Sequence, residues 1–373
     1  MITTKLAQFL PQDDSWSWVL QLIWIVFFIT YMFYGQRIQV WNMLLGIKRS
    51  VRELESLRNK AKKMVIEAIR KINGTQIDPT PVVDRFLDYV TIQPQDMDPA
   101  GVVWKLEHIL NVRESRFRDE VKMMASNAEK TQINNLEKML EVVQTLNSIY
   151  KTVRHYYLLG RKTMSLYIIM QLDMQLPQFI KQAKAYMSAL EAFALGQPIG
   201  DGAGALTAAK LMKGFNKTLI AEETVMAEVP LEGRKAYIIK AEGPGATVGK
   251  PGEAIKKILE RNNGKISAII TVDAASKYEG EENGEVADGV GVAIGGYGVE
   301  RFKVEENMLK HKVPVYSVVI KENLEQAISP MRKEIVDAAE KAVERVKLLV
   351  RERTREGDAV IIAGIGNTVG IGQ

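Results

Sequence analysis

The 373-residue chain contains no cysteine. That excludes disulfide staples, thiolate metal sites and cysteine nucleophiles. Histidine is nearly as scarce. His108, His155 and His311 stand far apart in sequence, so an all-histidine zinc site is not expected. Tryptophan is absent beyond Trp104, and only 5 of the 28 glycines precede residue 196. A glycine-poor half followed by a glycine-rich half reads as a helical part joined to an α/β part. There is no nucleophile elbow, paired-histidine helix or redox motif. Aromatic residues are not interleaved with basic ones in the second half, so no nucleic-acid partner is expected.

One long hydrophobic run is present. From Trp16 to Tyr34, nineteen residues carry no charge. This matches the roughly 20 apolar residues that cross a bilayer core, with aromatics at both ends as at headgroup level. Residues 36–71 then carry ten Lys/Arg against Glu53, Glu55 and Glu67, whereas residues 1–15 carry Lys5 against Asp13 and Asp14. The positive flank stays inside, so a single-pass cell-membrane protein is expected, its N-terminus outside and its later domains cytoplasmic. The bilayer is thus the first expected partner, and the basic flank would lie against anionic headgroups.

Domain boundaries follow from composition. Residues 1–35 form a tail and transmembrane helix, and 36–73 a basic helical stalk. In the stalk Val40, Leu44, Ile47, Val51, Leu54, Arg58, Ala61, Val65, Ala68 and Ile72 repeat at alternating spacings of four and three. Such a seam packs on the chain's own helices or, as a coiled coil, on a second copy, giving a homo-oligomer. Asn73-Gly74 ends the stalk, and Asp78-Pro79-Thr80-Pro81 starts afresh. Residues 80–195 read as a helical bundle, with Asp98-Pro99 opening a helix through Leu110 and an amphipathic stripe from Leu136 to Tyr157. Met164–Leu176 is apolar but short and holds Asp173, which suits a core helix better than a second span.

Residues 196–373 alternate strand and helix patterns. Strands are predicted at Val225–Val229, Ala236–Lys240, Ile266–Asp273, Val290–Ile294, Val315–Ile320 and Val360–Ala363, with helices at Ala203–Lys213, Glu253–Asn262, Glu300–Lys310 and Leu324–Arg353. The pattern predicts a mostly parallel three-layer α/β domain, whose ligand site lies beyond the carboxyl ends of its strands. Val360–Ala363 is the run most suited to burial on both faces, so the C-terminal strand belongs inside the sheet.

Four loops of that domain carry candidate chemistry. Asp201 sits among Gly202 and Gly204 just before a helix. Asp273 ends a buried strand. Gly243, Gly245 and Gly249 precede another helix start, and Gly295 and Gly296 follow Asp288-Gly289. An aspartate cap with turn glycines is the plainer account of the first two. The third is not a phosphate loop: Pro244 stands where glycine is required, and Pro251 replaces the hydroxyl that would hold magnesium.

From the Trp16 segment through Asp96-Met-Asp-Pro-Ala-Gly101 to Gly364-Ile-Gly-Asn-Thr-Val-Gly370, the whole chain resembles an archaeal membrane protein family of unknown function. The second half also resembles hydrogenase-maturation and spore-germination endopeptidases. That fold begins with a strand ending Gly-x-Gly-Asn, continues into an acidic Asp-Gly-x-Gly loop, and later has a strand ending Asp-Ala. Here Gly364-Ile-Gly366-Asn367 closes the chain while Asp201-Gly-Ala-Gly204 opens the domain and Asp273-Ala274 follows. The resemblance therefore implies a circular permutant. It implies Asp201 and Asp273 as catalytic or metal-recognising carboxylates, acting on an amide directly or through one divalent ion, and Asn367 as the turn asparagine. The family's histidine ligand has no counterpart in these motifs. The rival reading is a non-catalytic membrane scaffold, whose glycine loops bind a small anion or a partner peptide.

Overall fold

The computed structural model describes residues 17–73, 78–94 and 101–373. Trp16, the Asp96–Ala100 motif, the Asp98-Pro99 helix start and Gly74 lie outside these residues. The helical part comprises α1 (Ser17–Asn73), α2 (Thr80–Leu87), α3 (Val102–Met124), α4 (Lys130–Thr163) and α5 (Leu166–Leu195). Two compact units divide the described chain: 17–53 with 150–180, and 54–149 with 181–373.

The expected single span is not met as such. No single helix among the described residues is long and apolar enough to cross a membrane. The segments Trp18–Met32 and Tyr34–Asn73 of α1, bent by 55° at their junction, pass on length and composition only as a pair. Most of the heptad seam is buried within the single chain: Val40, Leu44, Ile47, Val51, Leu54, Ala61 and Val65 are buried, while Arg58, Ala68 and Ile72 are half-buried. A second copy is not needed to cover it.

The second half is a seven-stranded sheet in the order β1-β2-β3-β7-β4-β6-β5. Its strands are β1 (Lys217–Ala221), β2 (Thr224–Leu231), β3 (Arg234–Ala241), β4 (Ala268–Ser276), β5 (Glu285–Val290), β6 (Val315–Glu322) and β7 (Ala359–Gly364). The expectation of a mostly parallel sheet is corrected here. β3, β7, β4 and β6 pair in parallel, but β1–β2, β2–β3 and β5–β6 pair antiparallel, so the sheet is mixed. Two predicted elements also move. The strand expected at Val290–Ile294 lies instead at Glu285–Val290, and the long helix expected at Leu324–Arg353 is broken into α9 (Leu324–Ala327) and α10 (Lys333–Arg353). Pro330 occupies that break and bridges to Ile199.

Helices cover both faces. On one, α6 (Ala203–Leu211) and α10 pack on Ala236, Ile238, Ile270, Val272, Val360 and Ile362. On the other, α7 (Pro251–Arg261) and α8 (Val299–His311) pack on Tyr237, Ile239, Ile269, Ile361 and Ala363. Successive β7 residues thus enter opposite cores, which explains its unbroken apolar run. β7 is the middle strand of seven, between β3 and β4.

Candidate active site

The carboxyl ends of the parallel strands build the site. In register, Lys240, Gly364 and Val272 mark one row across β3, β7 and β4. Asp273 is the next residue on β4 and points away from the α6 face, because Val272 before it belongs to that core. Past Gly364 the chain crosses the front of α6, and the Ile365 N–H donates to the Val272 carbonyl at 2.8 Å.

This crossing requires glycine. A Cβ on Gly204 would stand 2.2 Å from the Val272 carbonyl oxygen, and one on Gly364 2.4 Å from the Gly204 carbonyl oxygen. Gly366 adopts φ +117°, and a Cβ there would meet the Asp201 carbonyl oxygen at 1.8 Å. Gly366→Ala should therefore cost about 3 kcal/mol or more, from left-handed strain plus a backbone clash. Urea unfolding would measure it, and a loss below about 1 kcal/mol would mean the turn is not held as described.

Asp201 lies in the one-turn 3-10 segment Gly200–Gly202 that leads into α6. Its Oδ2 accepts the Asn367 N–H at 2.9 Å, while the Asn367 side chain accepts the Val369 N–H at 2.9 Å. The asparagine turn thus presents a backbone donor to one acid and uses its own amide to hold its shape. The loop carrying Pro330 fixes this corner from behind: the Gly200 N–H donates to Ser329 at 3.2 Å, and the Met331 N–H to Pro198 at 2.7 Å. Asp273 accepts the Ala274 N–H at 2.8 Å on Oδ1 and the Gly295 N–H at 3.2 Å on Oδ2.

Both acids face one cavity of about 340 Å³. Its walls include the apolar Leu110, Val248, Ile294, Tyr297, Val299 and Ile365, with α3 contributing Glu107, Asn111 and Glu114 on one side. Of the glycines singled out from sequence, Gly249, Gly295, Gly296 and Gly366 line the cavity. Space beyond Gly295 and Gly296 is open, so that loop offers bare backbone to a ligand. Gly202, Gly204, Gly243, Gly245 and Gly364 serve packing instead: a Cβ on Gly243 would strike the Ile371 carbonyl oxygen at 1.7 Å, and Gly245 abuts Asn134.

Burial dominates the electrostatics. It raises the proton affinity of Asp201, opposed by the Asn367 N–H. Asp273 is raised well above the ordinary carboxylate range, by burial first and by the neighbouring Asp201 charge second. Like charges in a shared, largely buried site push each other's proton affinities apart.

A third carboxyl belongs to this group and went unrecognised in the sequence. Glu322 closes β6, is 2% exposed, and is raised to about 8 by burial and then by Asp201 and Asp273. No protein atom hydrogen-bonds either of its carboxyl oxygens among the described residues, and the Gln326 Oε1 is likewise unpartnered. The sequence signal was there: like Asp273, it is an acid at the carboxyl end of a buried parallel strand.

The structure also accounts for the third glycine loop and for the position of His311. The N-terminus of α7 already holds an anion of the protein's own, since Glu300 Oε2 accepts the N–H groups of Gly252 at 2.7 Å and Glu253 at 3.4 Å. Lys250 is engaged with Glu114 at 2.9 Å and Asn111 at 3.2 Å. His311 ends α8 beside Gly264, next to the start of β6 rather than its carboxyl end. Among the described residues, no group of three or more His, Asp or Glu side chains is arranged to hold a metal ion. The acidic trio therefore does not fit a three-ligand metal centre.

Comparison with known families divides the chain where its glycine content changes, near residue 196. Residues 21–196 match the model described as "Protein of unknown function (DUF1512) N-terminal domain", and residues 199–372 match "Domain of unknown function (DUF1512) C-terminal". No curated protein matches the chain. The chain belongs to the DUF1512 family.

Proposed function

We propose that this DUF1512 member is a membrane-attached hydrolase in which Asp201 and Asp273 cleave an amide bond with a directly activated water. The observation carrying this reading is the convergence on one largely apolar cavity of two buried aspartates, one from the start of the domain and one from the end of its fourth strand. Asp273, raised further, carries the proton, and Asp201 is the base. Asp201 takes a proton from water as its oxygen adds to the carbonyl carbon, while Asp273 gives its proton to the carbonyl oxygen. Collapse returns that proton to Asp273, and Asp201 passes the water's proton to the departing nitrogen. The open backbone at Gly295 and Gly296 suits an extended peptide lying beside the pair. The likeness of this domain, as a circular permutant, to maturation and germination endopeptidases supports the reading and belongs to the same proposal.

Attachment rests on α1. Trp24, Phe27, Phe28 and Tyr31 are 68, 60, 65 and 65% exposed, a density of bare aromatic surface that water does not favour. The basic flank places the N-terminus outside and the catalytic domain in the cytoplasm.

The test is hydrolysis of a fluorogenic peptide library by the full-length chain, with Asp201→Asn and Asp273→Asn beside it. Cleavage lost in both variants supports the reading. Cleavage unchanged by either substitution sinks it. If the cavity instead binds a peptide equally well in all three forms without cleaving it, the scaffold reading takes its place.

A further inference from the structure

The unit formed by 17–53 and 150–180 exposes a second apolar surface besides α1. At the start of α5, Tyr167, Met170 and Met174 are 65, 41 and 75% exposed. Their spacings of three and four place them on one helix face. The core-facing side of the same turns is separate and already filled, by buried Ile169, Leu172 and Leu176. The exposed stripe is therefore surplus to the core. It begins beside Met164 at the α4–α5 turn, where the helices pack closely: a Cβ on Gly160 would lie 2.7 Å from Ile169 Cγ1.

The end of α4 supplies charge. Arg154, Arg161 and Lys162 are exposed there, with Leu158 among them. Between residues 150 and 180 Asp173 is the only acidic residue. One helix thus brings cations and its neighbour an apolar aromatic and methionine stripe. This combination seats a helical hairpin at the level of lipid headgroups, apolar side chains entering the acyl boundary and cations meeting anionic lipid.

We propose that the α4–α5 hairpin is a second membrane contact, docking its Tyr167–Met170–Met174 stripe on an anionic bilayer surface. The inference rests on the membrane attachment proposed for α1, and its test separates the two. Because the chain has no cysteine, one probe position can be introduced at a time. Met174→Cys, Phe28→Cys and Glu352→Cys would each be labelled with an environment-sensitive fluorophore in the full-length chain. Each is then reconstituted into vesicles of phosphatidylcholine with or without phosphatidylglycerol, containing brominated acyl chains.

The expected result is quenching of at least about twofold at position 174 in anionic vesicles. It should weaken without phosphatidylglycerol or when Arg161→Glu and Lys162→Glu are added, while position 352 stays unquenched. Quenching at 28 but not at 174 overturns the hairpin contact and leaves the α1 attachment standing. A blue shift at 174 without lipid quenching also overturns it, since a protein surface then covers the stripe. Absence of quenching at 28 removes the attachment itself, and this inference with it.

Discussion

Asp273→Asn is expected to abolish the proposed hydrolysis and, at the same time, to raise the stability of the fold at neutral pH. Asp273 is buried beside Asp201, and both effects raise its proton affinity well above the usual range. A carboxyl with a raised folded-state value is stabilising, relative to the unfolded chain, only while both forms are protonated. That contribution is complete below the unfolded value of 3.8 and is lost as pH rises towards the folded one. Asparagine keeps the shape and removes both the titration and the repulsion with Asp201, while its amide oxygen keeps only one of the two backbone N–H bonds that Asp273 accepts. The variant's melting temperature should therefore start near pH 3 at or slightly below the parent's, because of the lost bond, and rise above it as pH increases. On the proposed mechanism, loss of Asp273 as general acid should lower the hydrolytic rate about 10²- to 10⁴-fold. A variant that is inactive but less stable than the parent at neutral pH would show that Asp273 holds the fold together, and that its role is not chemical. A site that works against the stability of its own fold is the usual sign of function.

The centre of the α/β domain was readable in the sequence, and its margins were not. β7 announced itself because Val360, Ile361, Ile362 and Ala363 enter two cores in alternation, leaving no polar position in the run. The placing of Asn367 beside Asp201 follows from that central position. The edges obey a different rule. β1 has Leu219 64% exposed, and β5 is mostly exposed, so neither shows the apolar pattern that marks a strand. Without them the sheet looks parallel. The β2–β3 hairpin was hidden as well, since its turn is Glu232-Gly233 with φ +50° and +75° rather than the familiar Asn-Gly. Val292 and Ile294 misled in the opposite way. They are apolar because they pack on the α7–α8 core as the chain runs to the cavity, not because they pair in a sheet. Glu322 was lost to a boundary error: the predicted strand ended at Ile320, two residues before the acid that closes β6. Strand ends are where pattern reading is weakest, and in parallel sheets they are also where function collects.

Glu322 carries the second large expected effect. With a value moved from 4.5 to about 8, it stays protonated in the fold at pH 7 while the unfolded chain ionises. At 1.36 kcal/mol per unit, that difference costs about 3 kcal/mol at pH 7 and about 5 above pH 8. The sign is again loss of stability as pH rises through the window from 4.5 to about 8. Glu322→Gln should remove most of it, because glutamine has nearly the same volume and no charge to bury. Its amide also brings donors to a corner where Gln326 Oε1 has no partner. Urea unfolding at pH 4, 7 and 8.5 should show no difference between variant and parent at the lowest pH, and a stabilisation of about 3 kcal/mol at pH 7. A difference independent of pH would mean that Glu322 titrates like an exposed acid. Combining Glu322→Gln with Asp201→Asn tests the link to the site. Asp201 is the first neighbouring charge acting on Glu322, so part of the gain at pH 7 should already be present in the Asp201 variant, and the two gains should add to less than their sum. Full additivity would separate Glu322 from Asp201 and Asp273 and leave it as a buried acid with a local cost only.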